Sequence, residues 1–419
     1  MPRINFLGGL LPSFLLTLIL LQHNVALTKK TRAIERINYA NQLVQEDKLT
    51  EAIKIYKNIL KQNQHAEFLW YNLAYILRIK GNPEEAIPAY EQAIKLNPNN
   101  EDAYLGLAKS YLSVGRFLEG WKNFEYRYNN VEACRQEEID PKQFRDKTIF
   151  LMSEWGLGDT IQFVRYAKLL KEYGAKEVWV ETPKPLVPLF SLCDYIDGII
   201  PKGQKRIPVF DYKIPILSMP MIFQTKLETI PAYSSYLNAD SYLVNYWKEK
   251  LKNDTNFRVG LCWHAKPNFI EEHIHTKRSV RLDKFAPLAE INGVSFYSLQ
   301  QIHGVDQIQN LPSGFFVKTF EDDFDKSHGR FMDTAAVIKN MDLILSVDTS
   351  IVHLAGAIGK DVWVLIPSSA EWRWLLKKED TPWYFNMKLF RQTQPNDWET
   401  VIQKVKNELQ ILVSINKKR

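Results

Sequence analysis

Cysteine is scarce in this chain, and several common sequence signatures are missing from it. The 419 residues contain three cysteines, Cys134, Cys193 and Cys262, which are odd in number and widely spaced. This spacing excludes a disulfide framework and a cysteine-based zinc site, and it fits a reducing compartment. The chain also has no GxxxxGK[ST] loop, no GxSxG elbow and no complete GxGxxG fingerprint. These absences exclude P-loop nucleotide hydrolysis and a serine hydrolase of the α/β-hydrolase type.

No block of like charge dominates the chain. The net charge is +6, and 45% of the residues are hydrophobic and 12% aromatic. This content is enough for packed cores, and a chain of this length predicts two or three domains. The mild positive balance does not indicate nucleic acid, but it suits anionic small molecules or a membrane surface.

The first 30 residues form an apolar N-terminal segment, with its longest apolar stretch at 6–21. The stretch is shorter than the ~20 residues that span a bilayer, and Gly8, Gly9 and Pro12 interrupt it. A signal peptide, an anchor and a helix packed on the next domain all remain open interpretations.

Residues 33–128 repeat with a period of 34. Three columns carry the period: Ala40, Ala74 and Ala108; Ala52, Ala86 and Gly120; Tyr56, Tyr90 and Phe124. Small residues let paired helices approach closely, so the pattern predicts a solenoid of stacked helix pairs. The pattern resembles the tetratricopeptide repeat, which implies peptide or protein binding on a concave face. A rigid stalk or a dimer surface is the alternative.

After a polar linker at 129–147, the pattern changes to alternating strands and helices. The range 148–250 is predicted to form a first Rossmann-like half, beginning with a strand at 148–152. A glycine-containing turn, Gly156 to Asp159, then leads into a helix. Asp159 can accept a proton from a substrate hydroxyl; the alternative is that it only caps the helix.

The range 257–419 is predicted to form a second Rossmann-like half. Its clearest feature is an apolar strand at 343–347, a polar turn with Asp348, Thr349 and Ser350, a short helix and a second strand at 362–367. Free backbone amides at the start of such a helix favour a phosphate. The alternative is that Asp348 or Thr349 merely caps the helix. Lys277 and Arg278, which follow a strand at 258–263, can neutralise phosphate oxygens.

Motifs throughout the chain resemble those of one enzyme family. They are GLGDTIQFVRY (156–166), WHAKP (263–267), KRS (277–279), YSLQ (297–300), DTAAVI (333–338), VDTSIVHLAGAIGKDVWVLIP (347–367), EWRWLL (371–376) and TPWY (381–384). The chain thereby resembles bacterial tetratricopeptide-repeat glycosyltransferases, whose catalytic region is similar to the heptosyltransferases of glycosyltransferase family nine. The resemblance implies a GT-B fold, so the predicted fold class is a helical solenoid followed by two Rossmann-like α/β halves.

The resemblance also implies an activity and its residues. The activity is inverting sugar transfer from a nucleotide sugar to an acceptor hydroxyl, without a metal or another cofactor. Asp159 is implied as the general base. The donor site is implied at Asp348, Thr349, Ser350, His353, Leu354, Lys277, Arg278 and Trp263. Further cleft residues are expected at Gly156, Gly158, Thr160, Gln162, Trp372 and Arg373; burial inside the domain is the alternative for the tryptophan-rich segment.

The partners expected are a nucleotide sugar, a glycan or protein acceptor and a protein bound by the repeats, but not nucleic acid. Because the donor is cytosolic, we expect a cytoplasmic protein, with peripheral association with the inner membrane left open. Asp323-Phe324-Asp325 matches the DxD pattern of metal-dependent transferases, but we interpret it as a solvated loop. The alternative function is a repeat-based scaffold whose transferase-like domain is inactive or senses a nucleotide.

Overall fold

The protein is described from a computed structural model, which covers residues 24–127, 139–205, 207–266 and 278–416, with side chains from residue 33. The chain divides into two compact units. A helical unit contains the described residues up to 127 together with Ser369–Leu376, and an α/β unit contains the rest. The apolar stretch 6–21, most of the predicted linker and Lys277 lie outside the described residues.

The helical unit consists of paired antiparallel helices. They are α1 (Asn24–Gln45), α2 (Leu49–Leu60), α3 (Glu67–Ile79), α4 (Pro83–Leu96), α5 (Glu101–Ser113) and α6 (Phe117–Phe124). The small residues of the 34-residue period, including Ala74 and Ala108, are fully buried where neighbouring helices meet. At Gly120, a Cβ atom would lie 2.6 Å from the Leu112 side chain, so only glycine permits this approach. No helix in the described part of the chain is long and apolar enough to cross a membrane.

A segment from far along the sequence packs into the helical unit. Ser369–Leu376 belongs to this unit, although it lies inside the range predicted as the second α/β half. Trp372 is 2% exposed. Its ring meets those of Trp121 and Phe124 edge to face, at centroid distances of 5.3 and 6.3 Å. This aromatic cluster holds the segment on the last helix of the unit.

The first sheet of the α/β unit has four parallel strands. They are β1 (Thr148–Met152), β2 (Glu177–Thr182), β3 (Gly198–Pro201) and β4 (Tyr212–Pro215), in the order β3-β2-β1-β4. The helices of this half are α7 (Leu157–Phe163), α8 (Arg165–Glu172), α9 (Val187–Phe190) and α10 (Met219–Ile222). The next helix, α11 (Ser241–Leu251), packs on the helix at Met332–Asn340 of the second half, where Nε1 of Trp247 donates to Asp333 at 2.8 Å. The strand order is that of the first four strands of a Rossmann fold.

The second sheet has six parallel strands. They are β5 (Phe257–Cys262), β6 (Val294–Ser298), β7 (Val317–Lys318), β8 (Leu343–Val347), β9 (Val362–Ile366) and β10 (Met387–Arg391). The order β7-β6-β5-β8-β9-β10 is the complete 3-2-1-4-5-6 order of a dinucleotide-binding fold. Helices α12 (Met332–Asn340), α13 (Ser350–Ala357) and α14 (Trp398–Asn416) complete this half.

Both faces of the second sheet are covered by apolar packing. All five residues of β8 are buried, as a central parallel strand requires. The apolar face of α14, with Val405 and Leu409, joins the same core as Val259 and Leu345 of the strands. The predicted architecture, helical repeats followed by two Rossmann-like halves, is therefore confirmed.

Candidate active site

Each sheet has one topological switch point, where the strand order reverses. It lies between β1 and β4 in the first sheet and between β5 and β8 in the second. In open α/β sheets, ligands bind beyond the carboxyl ends of the strands at this point. The turn after β1 leads into α7, and the turn after β8 leads into α13. These are the two turns in which the sequence predicts the base and the diphosphate site.

The turn after β1 is anchored at both ends but open in the middle. The carboxylate of Glu154 accepts a hydrogen bond from the Leu217 amide at 3.0 Å, which ties the turn to the segment after β4. At the other end, the Gly156 amide donates to Oδ2 of Asp159 at 3.2 Å. Trp155 stands between these anchors with a φ of 49° and 47% of its surface exposed. Such a left-handed backbone in a tryptophan persists only where the surrounding contacts impose it.

Asp159 is the third residue of α7 and is partly exposed. Its carboxylate accepts a hydrogen bond from the Gly156 amide, as the acidic residue of a capping box does. Asp159 therefore does cap the helix, as the alternative interpretation states, through this one contact. This contact holds the carboxylate at the start of α7.

The turn after β8 is held by its threonine. Thr349 is the N-cap of α13, and its hydroxyl accepts a hydrogen bond from the Ile351 amide at 3.3 Å. The same hydroxyl lies 3.3 Å from the Ser346 hydroxyl and 3.7 Å from the thiol of Cys262. Burial raises the pKa of that thiol, which stays protonated. The capping alternative thus holds for Thr349, and the cap fixes the turn to the ends of β8 and β5.

Asp348 is nearly enclosed beside this cap. The residue is only 4% exposed, yet no described residue donates a hydrogen bond to its carboxylate or pairs with it. Because buried charges need partners, this carboxylate is suited to hydrogen bonds from a bound molecule.

The two turns meet at Gly158. A Cβ atom at this position would lie 2.9 Å from Cδ2 of His353 and 3.7 Å from the Cα of Ser350. His353 is 3% exposed, and its Nδ1 lies 2.9 Å from the Tyr384 hydroxyl. The residue after Gly158 is Asp159, so the predicted base follows directly on the point of contact with α13.

A third segment, the loop after β5, is held by one glutamine. Oε1 of Gln300 accepts hydrogen bonds from the amides of Trp263 and His264 at 3.1 and 2.9 Å. Its Nε2 donates to the carbonyl oxygen of His264 at 2.9 Å. Trp263 itself is fully buried, and its Nε1 donates to the Gly304 oxygen at 3.0 Å. The indole is therefore a core side chain in this structure, and its predicted contact with a donor stays a prediction.

Arg278 lies farther along the same loop. Its Nε is buried and has no hydrogen-bond partner among the described residues. A guanidinium donor in this state calls for an acceptor such as a phosphate oxygen.

The remaining predicted residues either support the turn after β1, lie buried in the α/β unit or belong to the helical unit. Thr160, Gln162 and Leu354 are fully buried, and Gly156 is exposed. The Thr160 hydroxyl donates to the Gly156 oxygen at 3.2 Å and so stabilises the turn. Trp372 and Arg373 lie in the helical unit, so we leave them out of the candidate site. Both residues are buried, which agrees with the alternative that this tryptophan-rich segment packs inside a domain.

Asp325 does not lie in a solvated loop, so that interpretation was wrong for this residue. Asp325 is 9% exposed, and its carboxylate accepts hydrogen bonds from the amide and the hydroxyl of Thr334, at 2.9 and 2.5 Å. Burial raises its pKa. Among the described residues, no three His, Cys, Asp or Glu side chains are grouped to hold a metal.

Four residues near the site carried no prediction of their own: Arg165, Tyr236, Tyr384 and Gln300. Arg165 and Tyr384 stand in the FVRY and TPWY motifs. For Arg165, the available signal was a charged residue within an apolar helical run, because arginine is rarely buried unless its charge is paired.

Comparisons with known proteins agree on the helical unit. Residues 68–100 and 89–122 match two family models described as tetratricopeptide repeat. The helical unit therefore contains tetratricopeptide repeats, as predicted.

Over its greater length, the chain is similar to Protein FlbA of Caulobacter vibrioides, with 22% identity over 89% of this chain and 72% of that protein. Among solved structures, it is similar to a glycosyl transferase family 9 protein of Veillonella parvula, with 12% identity and a TM-score of 0.45 over 63% of this chain and 90% of that one. It is also similar to E. coli ADP-heptose lps heptosyltransferase II, with 13% identity and a TM-score of 0.46 over 64% and 99%.

Proposed function

We propose that the α/β unit transfers a sugar from a nucleotide-sugar donor to an acceptor hydroxyl. The transfer inverts the anomeric centre and proceeds without a metal ion. The second sheet binds the donor, and the first sheet binds the acceptor. The tetratricopeptide repeats bind the acceptor or a protein partner.

One observation carries this proposal: the contact of Gly158 with His353 and Ser350. It brings together the turns at both switch points, one with a carboxylate and the other with the start of a helix. A group transfer needs such a pair, since one side must take a proton while the other stabilises a leaving group.

The donor side is built for a diphosphate. At the start of α13, the Thr349 hydroxyl caps the Ile351 amide and the Val352 amide donates to the Thr349 oxygen at 3.2 Å, which leaves the Ser350 amide and the positive end of the helix dipole to a ligand. They favour an anion together with Arg278. Asp348 cannot take phosphate oxygens because its carboxylate would repel them, so we assign it to hydroxyl groups of the donor. The positive Arg278 and the donor amides stabilise charge as the diphosphate leaves.

The acceptor side is built for an alcohol. Asp159 takes the proton of the attacking hydroxyl, which adds to the anomeric carbon on the face opposite the diphosphate. This displacement breaks one bond to the anomeric carbon while forming another, so configuration inverts. Trp155, which is 47% exposed and lies four residues before Asp159, offers an aromatic surface on which we place the sugar acceptor.

Metal independence is part of the proposal. The DxD pattern is the alternative metal site, and the carboxylate of its second aspartate, Asp325, is already bonded to Thr334. In place of a metal, we assign charge neutralisation to α13 and Arg278, together with Lys277. Full turnover in EDTA is expected; strong stimulation by Mn²⁺ that Asp325→Ala abolishes would contradict it.

A thermal-shift screen of nucleoside diphosphates and their sugars tests the function. We expect one nucleotide series to stabilise the protein and its sugar form to be hydrolysed or transferred. If no nucleotide raises the melting temperature, the scaffold alternative is favoured. Tight binding without hydrolysis or transfer would instead favour a nucleotide sensor. A donor drawn from nucleotide sugars also fits the cytoplasmic location that we propose, with membrane association peripheral.

A further inference from the structure

The connection between β9 and β10 is divided between the two units of the chain. It covers residues 367–386, between β9, which ends at Ile366, and β10, which begins at Met387. Its first part, Ser369–Leu376, belongs to the helical unit, and the residues from Lys377 onward belong to the α/β unit. Because β8 and β9 are neighbouring parallel strands, the connection leaves the sheet at the edge where the turn before α13 lies.

The aromatic column of the repeats shows how each repeat meets the next one. The hydroxyl of Tyr56 accepts a hydrogen bond from Nδ2 of Asn72, in the first helix of the second repeat, at 3.1 Å. Tyr90 is the next member of the column, and a Cβ atom at Gly106 of the third repeat would lie 2.3 Å from its Cζ. Each of these tyrosines therefore packs on the first helix of the repeat that follows.

The third member of the column packs on the β9–β10 connection. Phe124 lies 6.3 Å from Trp372, measured between ring centroids, and its neighbour Trp121 lies 5.3 Å from the same ring. Trp121 and Trp372 are 1% and 2% exposed. Ser369–Leu376 thus takes the place that the next helix has in the earlier repeats. Since the last repeat of a solenoid needs such a cover, this segment is anchored by the packing of the repeats.

The chain leaves this anchor through two unusual backbone conformations. Leu375 and Lys377 have φ values of 51° and 56°, in the left-handed region that residues other than glycine rarely adopt. Leu375 is 5% exposed, so packing surrounds it. Such conformations persist only where surrounding contacts impose them. The anchor therefore sets the path of the residues that follow.

Trp383, in the second part of the connection, packs on the first half of the α/β unit. Its ring lies 5.7 Å from that of Phe163 in α7, the helix that carries the predicted base. Its backbone oxygen accepts a hydrogen bond from Arg165 at 2.7 Å. Trp383 and Arg165 are 1% and 0% exposed. These contacts hold the second part of the connection beside the turn after β1.

Tyr384, the next residue, packs on α13. Its hydroxyl lies 2.9 Å from Nδ1 of His353, and a Cβ atom at Gly356 would lie 2.6 Å from its Cδ1. Tyr384 is 2% exposed. Only glycine permits this approach of the ring to the helix, so the place of Tyr384 and the place of α13 depend on each other.

We propose that Trp372 is a positioning residue for the donor site: its packing in the helical unit fixes the β9–β10 connection and thereby holds Tyr384 against α13. The repeats then help to shape the donor site, in addition to any partner that they recruit. The effect on donor binding rests on the proposed function, whereas the effect on α13 does not.

Hydrogen–deuterium exchange on the full chain tests the anchor without any ligand. Trp372→Ala leaves a cavity in the aromatic cluster. We expect faster amide exchange at 369–376, at 381–386 and in α13. Leu60→Ala is the matched control, because Leu60 is 4% exposed in the first repeat, whereas the anchor lies on the third. We expect faster exchange in α2 of this control and wild-type exchange in α13.

Three results would overturn the proposal. In Trp372→Ala, segment 369–376 could exchange faster while α13 keeps its wild-type exchange, or 369–376 itself could stay at the wild-type rate. The third result is equally fast exchange of α13 in Trp372→Ala and Leu60→Ala. If Trp372→Ala does not fold, Trp372→Leu gives the same test.

Donor affinity is a readout that a merely structural role would not move. The probe is whichever of ADP, GDP, CDP, UDP and dTDP stabilises the wild-type protein in the thermal-shift screen. By calorimetry, we expect Trp372→Ala to raise its Kd about fivefold or more, and Trp372→Phe to restore most of the affinity. Leu60→Ala should stay within about twofold of wild type, because the site is distant.

A wild-type Kd in Trp372→Ala, or an equal rise in Leu60→Ala, would contradict the positioning role. If none of the five nucleotides binds to the wild-type protein, the proposed function fails. The exchange experiment then still decides whether the anchor at Trp372 reaches α13.

Discussion

The turns at the two switch points share a topology but differ in how firmly they are held. In the second sheet, Asp348 and His353 are only 4% and 3% exposed, and the Thr349 hydroxyl is fixed by the ends of two strands. In the first sheet, Gly156 is exposed, and Trp155 keeps 47% of its surface open. One turn is closed in by side chains, and the other is open to incoming molecules.

This difference fits two tasks in one reaction. A leaving diphosphate is stabilised best by donors that are already in place, because no free energy is then spent on reorganising them. An acceptor has to enter and leave, so its side must stay open. The comparison predicts that substitutions in the open turn act on turnover, and that substitutions in the closed turn act on donor affinity and stability.

The largest effect is expected for Asp159→Asn in the open turn. Loss of a general base should lower kcat by about 10²–10⁴-fold. The Kd for the nucleoside diphosphate should stay within a few-fold, because the amides and Arg278 remain. Turnover assays and titration calorimetry measure the two quantities. Asp240→Asn is the control, since within the described residues the Asp240 carboxylate bonds to the Leu243 amide alone, at 2.9 Å, and so caps α11. Retained turnover in Asp159→Asn would exclude this residue as the base.

The next effect is expected for Arg278→Gln on the donor side. Removing a charge-assisted contact should raise the Kd for the nucleoside diphosphate about tenfold or more. Arg281→Gln is the matched control, because Arg281 pairs with Asp283 at 2.6 Å and has 77% of its side chain exposed. Calorimetry on both variants makes the comparison. Equal affinities for the two variants would place the diphosphate elsewhere.

Gly158→Ala tests the contact between the two turns. The added methyl group would meet Cδ2 of His353 at 2.9 Å, so the turns must separate. We expect a several-fold lower kcat and a loss of about 1–3 kcal/mol in the free energy of unfolding. Gly203→Ala is the control for backbone strain: its methyl group meets no atom within 4 Å but its φ of 89° is left-handed, so it should lower the free energy of unfolding without lowering kcat. Wild-type kcat in Gly158→Ala would show that the contact has no part in turnover.

The smallest effect is expected for Thr349→Val in the closed turn. The Ile351 amide loses its capping partner, which should lower the free energy of unfolding by about 1 kcal/mol. Urea denaturation measures this loss. Thr255→Val, an exposed threonine outside any helix, should leave the free energy of unfolding within about 0.5 kcal/mol of wild type. A Thr349→Val variant as stable as the wild type would mean that the cap does not hold the turn.

The framework of the site could be predicted from the sequence because its elements are local. The strand at 343–347 and the helix that follows are marked by an uninterrupted apolar run, a polar turn and a closing glycine. The 34-residue period marked the repeats in the same way.

The details that depend on distant packing could not be predicted. Trp263 directly follows a strand, and the same sequence pattern allows its side chain to point to a ligand or into the core. Trp372 lies after β9 in sequence but packs on Trp121. Arg165 and Tyr384 are 219 positions apart, and no periodicity links them. Such contacts between distant side chains depend on tertiary packing, which cannot be derived from a single sequence.

A crystal structure of the protein with its nucleotide sugar tests the central claim most directly. The account predicts a diphosphate oxygen at about 3 Å from the Ser350 amide at the start of α13, with His353 in contact with the diphosphate. It also predicts the anomeric carbon on the side of the Asp159 carboxylate, with room between them for one hydroxyl. A diphosphate bound away from α13, or a carboxylate directed away from the anomeric carbon, would contradict it.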